Sequence, residues 1–177
     1  MRIRPVLPSD RTGIIDFLGH LSRDSLELRF FSAVQAGVVM TELMGGAPPA
    51  DRISLVMETI DPAGSHITGH GESIRFAQDR TRSEVGFIVA DRYQGLGAAT
   101  LLLWQLARAA RAVGIRSFEA VVRSENRPML DVFAQAGFPH TREWVAHEAR
   151  VVLDITHDPQ FALALPSLAE RGAHAIS

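Results

Sequence analysis

The stretch from Glu84 to Ala99 constrains this chain more than any other: Glu-Val-Gly-Phe-Ile-Val-Ala-Asp-Arg-Tyr-Gln-Gly-Leu-Gly-Ala-Ala. An apolar strand runs into a turn with two glycines, and a long apolar helix over 98–113 starts at once. Such a turn directs several free backbone N–H groups at one spot, and the helix N-terminus adds partial positive charge there. Glycine admits φ > 0 and lets a ligand approach the backbone closely. The unit predicts an anion site, with phosphate or pyrophosphate as its natural guest.

Three phosphate motifs compete for the turn, beside the plainer reading of a glycine-rich strand-to-helix connection. A P-loop ends in Gly-Lys-Ser/Thr, and Gly97-Ala98-Ala99 has no lysine. The dinucleotide fingerprint G-x-G-x-x-G fails because Gly95 and Gly97 are followed by Thr100. That fingerprint also belongs on the first strand of a βαβ unit, whereas this turn sits mid-chain after an antiparallel meander. The third pattern, Q/R-x-x-G-x-G/A, is met by Gln94, Gly97 and Ala99. It resembles the coenzyme A pyrophosphate loop of the GNAT superfamily of acyl-CoA N-acyltransferases.

The flanks carry the resemblance further. Gly114 stops the helix and a strand over 116–122 follows. Asn126 then suits an N-cap and Pro128 a first helical turn. The segment Glu125-Asn126-Arg127-Pro128-Met129-Leu130, closing at Gly137-Phe138, looks like the second half of a GNAT core. Near the N-terminus, Leu21-Ser22-Arg23-Asp24-Ser25-Leu26-Glu27-Leu28-Arg29-Phe30-Phe31 is similar to an L-S-x-x-S-x-x-x-R-F-F segment. That segment, and the pattern around Ser83-Glu84-Val85-Gly86-Phe87, resemble GNAT domains of bacterial Pat-type protein-lysine acetyltransferases. The plain reading of Phe30 and Phe31 is as core anchors. The resemblance covers nearly all of residues 1–155 and is most specific over 84–138.

Periodicity and turn chemistry predict strands over 2–6, 52–60, 66–77, 84–89, 116–122, 140–146 and 148–155. Helices are predicted over 9–21, 23–31, 98–113 and 127–136, with a further one around 36–44 and a loop across Gly45–Pro49. In the first helix Ile14, Ile15, Leu18 and Leu21 recur at helical spacing. The resemblance implies an α+β (α/β) GNAT fold. Its sheet is mixed, mostly antiparallel and seven-stranded, has helices on both faces, and splays between its fourth and fifth strands. A single domain over 1–156 is expected, followed by a tail over 157–177, with 166–171 either a short helix or loose chain.

Composition narrows the function classes. A net charge of −2 argues against non-specific nucleic-acid binding, and the basic residues are arginines spread along the chain. No cysteine is present, so disulfides, thiol catalysis and thiolate metal sites are excluded. No apolar run approaches ~20 residues and no signal peptide opens the chain, so a soluble, cytoplasmic protein is expected, as monomer or homodimer, with no membrane partner.

Moving an acetyl group from a thioester to an amine needs a neutral amine, a positioned thioester and donors for the oxyanion. A free lysine has a pKa of about 10.4, so a base helps at neutral pH. In Pat-type domains the glutamate matching Glu84 is the expected general base, acting directly or through water; its plain reading is a solvated strand-edge glutamate. Glu72 is the second candidate, with His70 as a relay or a structural histidine. The resemblance further implies that acetyl-CoA is the co-substrate and that no metal takes part. Phe87, Ile88 and Val89 would pair with the pantetheine arm and supply an oxyanion donor, on a strand that GNAT folds bulge and splay; Gly86 is compatible with that bulge. Gln94, Gly95, Gly97, Ala98 and Ala99 would hold the pyrophosphate, and Asn126 and Phe133 would flank the pantetheine. Tyr93 is a candidate cap for the loop or, equally, a packing residue, whereas Trp104 and Trp144 are expected in the core.

Many GNAT enzymes carry a tyrosine seven residues after the asparagine that protonates the leaving thiolate. Here that position is Phe133, which has no proton to give. Three readings stand: a transferase acting on primary amines, protein lysine among them; a transferase for small amines such as polyamines, amino acids or aminoglycosides; and a silent acyl-CoA sensor. Asp16, Asp24, Glu27 and Glu42 read as ordinary helix-surface charges rather than as an acidic acceptor groove.

Overall fold

A computed structural model describes residues 1–30, 49–62 and 64–159. Seven strands form one sheet: β1 (Arg2–Pro5), β2 (Arg52–Asp61), β3 (Gly64–Arg75), β4 (Arg82–Val89), β5 (Ser117–Arg123), β6 (His140–Val145) and β7 (Glu148–Asp154), in the order β1-β2-β3-β4-β5-β7-β6. Every pair is antiparallel except β4 with β5. The helices are α1 (Arg11–Gly19), α2 (Arg23–Phe30), α3 (Ala98–Ala112) and α4 (Arg127–Gln135). The expected elements are present, each displaced at its ends by a few residues at most. The predicted first helix is split, its start being a 3-10 turn at Pro8–Asp10. The helix expected around 36–44, the loop up to residue 48, the side chains of Phe30 and Phe31, and the tail from 160, including 166–171, lie outside the described residues.

Alternation along β4 explains the layering. Val85, Phe87 and Val89 point into one cluster with Leu102, Leu103, Leu106, Ala107 and Ala110 of α3. Ile88 points the other way, into a second cluster with Ile14, Phe17 and Leu18 of α1 and Val56 of β2. Both faces of β4's apolar run are therefore covered, which is why it reads as a continuous apolar stretch. The buried stripe of α3 recurs at helical spacing, and Gly71 lets it settle on β3. A Cβ there would meet Leu106 Cδ1 at 2.9 Å and Leu102 Cδ2 at 3.1 Å. In α1 the buried residues are Ile14, Phe17 and Leu18, while Ile15 turns outward at 38% exposure. Arg4 ties β1 to the start of α1, donating to Asp10 Oδ2 at 2.7 Å and Oδ1 at 2.8 Å, and also to Glu58 at 3.1 Å.

Candidate functional site

β4 and β5 pair only over Arg82–Glu84 and Ser117–Glu119. Beyond Glu84 the two strands part, and the free edge of β4 from Val85 to Val89 faces an open V. The expected splay is present. The expected bulge is not: β3 and β4 keep one continuous register from Gly69↔Val89 to Arg75↔Ser83. The register shift on this side of the sheet lies between Met57 and Glu58 of β2. β5 pairs with β7 over its full length.

The glycine loop closes the open end of the V. A 3-10 turn at Asp91–Tyr93 leads to Gly95 and Gly97, both at positive φ (71° and 82°), and Gly97 is the residue before α3. No heavy atom outside the flanking residues lies within 4 Å of a Cβ built at either glycine, so the loop's surface stands open. The N–H groups of the first turn of α3 have no helical carbonyl four residues back and point out of its end. Ala98 is fully buried and Ala99 packs beside the core, so both offer only backbone. The Gln94 side chain is already engaged, donating to Ser25 Oγ and Asp91 Oδ1, each at 3.0 Å.

Asn126 caps α4, its Oδ1 accepting from Met129 N at 3.2 Å. Phe133 is 2% exposed and packs edge-on against Phe87, with ring centroids 5.6 Å apart. Phe87, Ile88 and Val89 bury their side chains on alternating faces and present main chain alone to the V. Tyr93 packs partly against the core with Arg92 over its ring. Trp104 is part-buried, its Nε1 donating to Ala136 O at 2.8 Å. Trp144 departs from expectation: it stands on β6, every residue of which is exposed.

The opposite face of β4 carries the charged groups. Glu84 is exposed at the closed end of the V. Two residues on and on the same face, Gly86 serves as the seat for Arg29 of α2: a Cβ there would come within 2.4 Å of Arg29 Nη2. Close approach by a side chain, rather than a bulge, explains this glycine. Arg29 donates to Glu72 Oε1 at 3.3 Å, and Arg52 Nε lies 3.8 Å from Glu72 Oε2. Burial pushes the Glu72 carboxyl up, against the pull of these two guanidiniums. His70 is buried beside Ser54 Oγ at 2.9 Å, and burial, with Arg29 and Arg52, pushes it down to about 3. It stays neutral at physiological pH. Across the sheet, the buried Glu119 takes Arg82 on one oxygen and Arg150 on the other, the latter at 2.6 Å.

The α2 segment is tied to the loop itself. Asp91 accepts from Ser22 N at 2.9 Å, Ser22 Oγ at 3.2 Å and Ser25 Oγ at 2.5 Å. Burial pushes Asp91 up, but these hydrogen bonds outweigh it and hold the carboxyl below the ordinary range. A cavity of about 540 Å³ near Arg116, His140 and Asp154 lies at the closed end of the V, away from the loop.

The sequence pattern of the Acetyltransferase (GNAT) family matches residues 49–138. The chain belongs to this family. It is 28% identical over 151 residues to the acetyltransferase Pat of Mycolicibacterium smegmatis, covering 85% of this chain and 44% of that protein. The chain thus spans less than half the length of that curated relative. The GNAT domain of S. lividans PAT superposes with a TM-score of 0.73 at 28% identity, covering 86% of this chain and 89% of that one. The yncA protein of Salmonella typhimurium, solved with acetyl-CoA, shares the fold at 19% identity and a TM-score of 0.61, covering 89% and 95%.

Within this GNAT frame the loop, the free strand edge and Glu84 are legible in the sequence. The roles of Arg29, of Gly86 as its seat, and of Asp91, Arg82, Glu119 and Arg150 are not legible there. Ser22, Ser25 and Arg29 stood in the quoted L-S-x-x-S-x-x-x-R-F-F segment. The segment signalled them, and only the fold shows what they hold. Among the described residues no helix is long and apolar enough to cross a membrane, and no cluster of His, Asp and Glu is arranged to hold a metal.

Proposed function

We propose that the chain transfers an acetyl group from acetyl-CoA to a primary amine, with protein lysine as the leading acceptor class. The observation that carries this reading is the conjunction of an open glycine loop at a helix N-terminus with a free β4 edge that ends at an exposed glutamate. The similarity to Pat and to the GNAT domain of S. lividans PAT supports a lysine acceptor. The chain itself contains only arginine among its cationic side chains, so any acetyl-lysine formed in an assay belongs to the added acceptor.

The residues divide the work. Main-chain N–H groups of Gly95, Gly97, Ala98 and Ala99, with Gln94 shaping the loop, hold the pyrophosphate. Phe87, Ile88 and Val89 pair with the pantetheine arm through their free edge and donate an N–H to the oxyanion. Asn126 and Phe133 flank the arm. Glu84 takes the proton from the ammonium, directly or through one water. The neutral amine nitrogen bonds to the carbonyl carbon, the tetrahedral intermediate gives up its remaining excess N–H proton to water, and it collapses with cleavage of the C–S bond. Phe133 has no proton to give, so the thiolate leaves as such or is protonated by water.

Calorimetric titration with acetyl-CoA, followed by thiol release with amines and lysine peptides, tests the reading. Saturable binding with release on a lysine peptide supports it; binding with no release on any acceptor favours a sensor; absence of binding removes the functional case. Glu84→Gln should lower turnover about 10²–10⁴-fold, the range for loss of a general base, with acetyl-CoA affinity retained. Gly97→Glu should abolish binding, because a side chain at φ 82° and a negative charge both face the phosphates.

A further inference from the structure

Glu84 stands between two guanidiniums on its own face of the sheet. Arg82 precedes it by two residues on β4, roughly 6–7 Å along the strand. The Arg29 guanidinium lies over Gly86, two residues beyond. Each is bound to a different, buried carboxylate: Arg82 to Glu119 and Arg29 to Glu72. Glu119 is the register partner of Glu84 across the last rung before the strands part. It is 7% exposed and holds Arg150 on its second oxygen, so it is fixed from two strands at once.

We infer that Glu119 is a positioning residue that keeps Arg82 away from Glu84, leaving the Glu84 carboxylate open to an incoming amine. This rests on the reading of Glu84 as base. Without the Glu119 charge, two carboxylates near Arg82 along its own strand and turn remain as partners. One is Asp79, which already accepts from Thr81 N at 3.0 Å and Thr81 Oγ1 at 2.7 Å. The other is Glu84. An ion pair favours the charged carboxylate and lowers its pKa, which weakens it as a base and blocks it sterically. The other groups facing Glu84 are Glu72 and Ile74 of β3, Arg29 of α2, Arg52 of β2 on the same cross-strand row, and Arg150 of β7 behind Glu119. Glu143 of β6 stands opposite Arg150.

The test is the pH–rate profile of thiol release for Glu119→Gln and for the double variant Glu119→Gln/Arg82→Gln. The glutamine keeps the shape and loses the charge. The expected result is a roughly tenfold fall in kcat/KM near neutral pH, with the acid limb moved down by about one unit. Removing Arg82 as well should return both toward wild type. Deleting the second charge restores charge balance under either role, so the deciding readout is the acid limb, which a purely structural role does not move. An unmoved limb in Glu119→Gln, or a double variant no better than the single, overturns the inference. Carboxyl ¹³C titration of Glu84 in the same proteins reads the capture without turnover. If Glu84→Gln leaves the rate intact, the base assignment falls, while the titration still decides whether Glu119 restrains Arg82.

Discussion

α3 and α2 both lie against β4, one on each face, and they are held by different forces. α3 buries Ala98, Leu102, Leu103, Leu106, Ala107 and Ala110. α2 has no fully buried residue among its described side chains. Beside the partly buried Leu26, which packs against the α1 cluster, it is fixed by Ser22 and Ser25 on Asp91, by Gln94 on Ser25, and by Arg29 on Glu72. Apolar packing scales with buried area and ignores pH and ligand charge. Polar docking depends on both. The α3 side of β4 is therefore a firm platform, while the α2 side is attached by contacts that solvent conditions and single charges can loosen.

The comparison is broken most directly from the α3 side. Leu106 is fully buried over Gly71, so Leu106→Ala should cost about 2–5 kcal/mol in urea unfolding, as transfer and cavity losses add. A loss below about 1 kcal/mol would mean that α3 is not the anchored partner. On the α2 side, Asp91→Ala removes the acceptor shared by Ser22 and Ser25. It should cost only about 1 kcal/mol globally. Its signature is local: amide exchange should quicken over Arg23–Arg29 and stay unchanged over Leu102–Ala110. Equal acceleration in both helices would erase the distinction.

This contrast also explains what could be read before the fold was known. The strands, α3, the Asn126 cap and the glycine loop follow from short-range patterns: alternation, a buried helical stripe, a cap three residues from its target. Glu84 and the loop followed from motif. The polar docking did not. Ser22 and Asp91 are 69 residues apart, and Arg29 and Glu72 are 43 apart. Their residue types are common, and no local period marks the pairing. Within its own strand Gly86 is compatible with a bulge and says no more than that. Its actual role depends on a side chain from another element. Trp144 was placed in the core by its size, yet it stands on an edge strand with no layer over it among the described residues.

Acid sharpens the comparison with the smallest effect. Burial raises the Glu72 carboxyl, whereas the hydrogen bonds from Ser25 and Ser22 lower that of Asp91. A carboxylate whose folded pKa is depressed contributes stability that is full above its unfolded value of about 3.9 and is lost as pH falls through the folded one. Asp91 therefore holds Ser22 and Ser25 until strongly acid pH. Glu72 has the opposite sign: it takes up its proton above the ordinary glutamate range, and the charge that holds Arg29 is lost first. α2 should release from its C-terminal end before its N-terminal end. Two-dimensional NMR during acidification should show Leu28 and Arg29 amide shifts moving at higher pH than those of Arg23 and Asp24, with Leu102–Ala110 unmoved throughout. A single transition shared by both ends of α2 would show that its two attachments act as one, and simultaneous movement of α3 would show that the platform itself depends on charge.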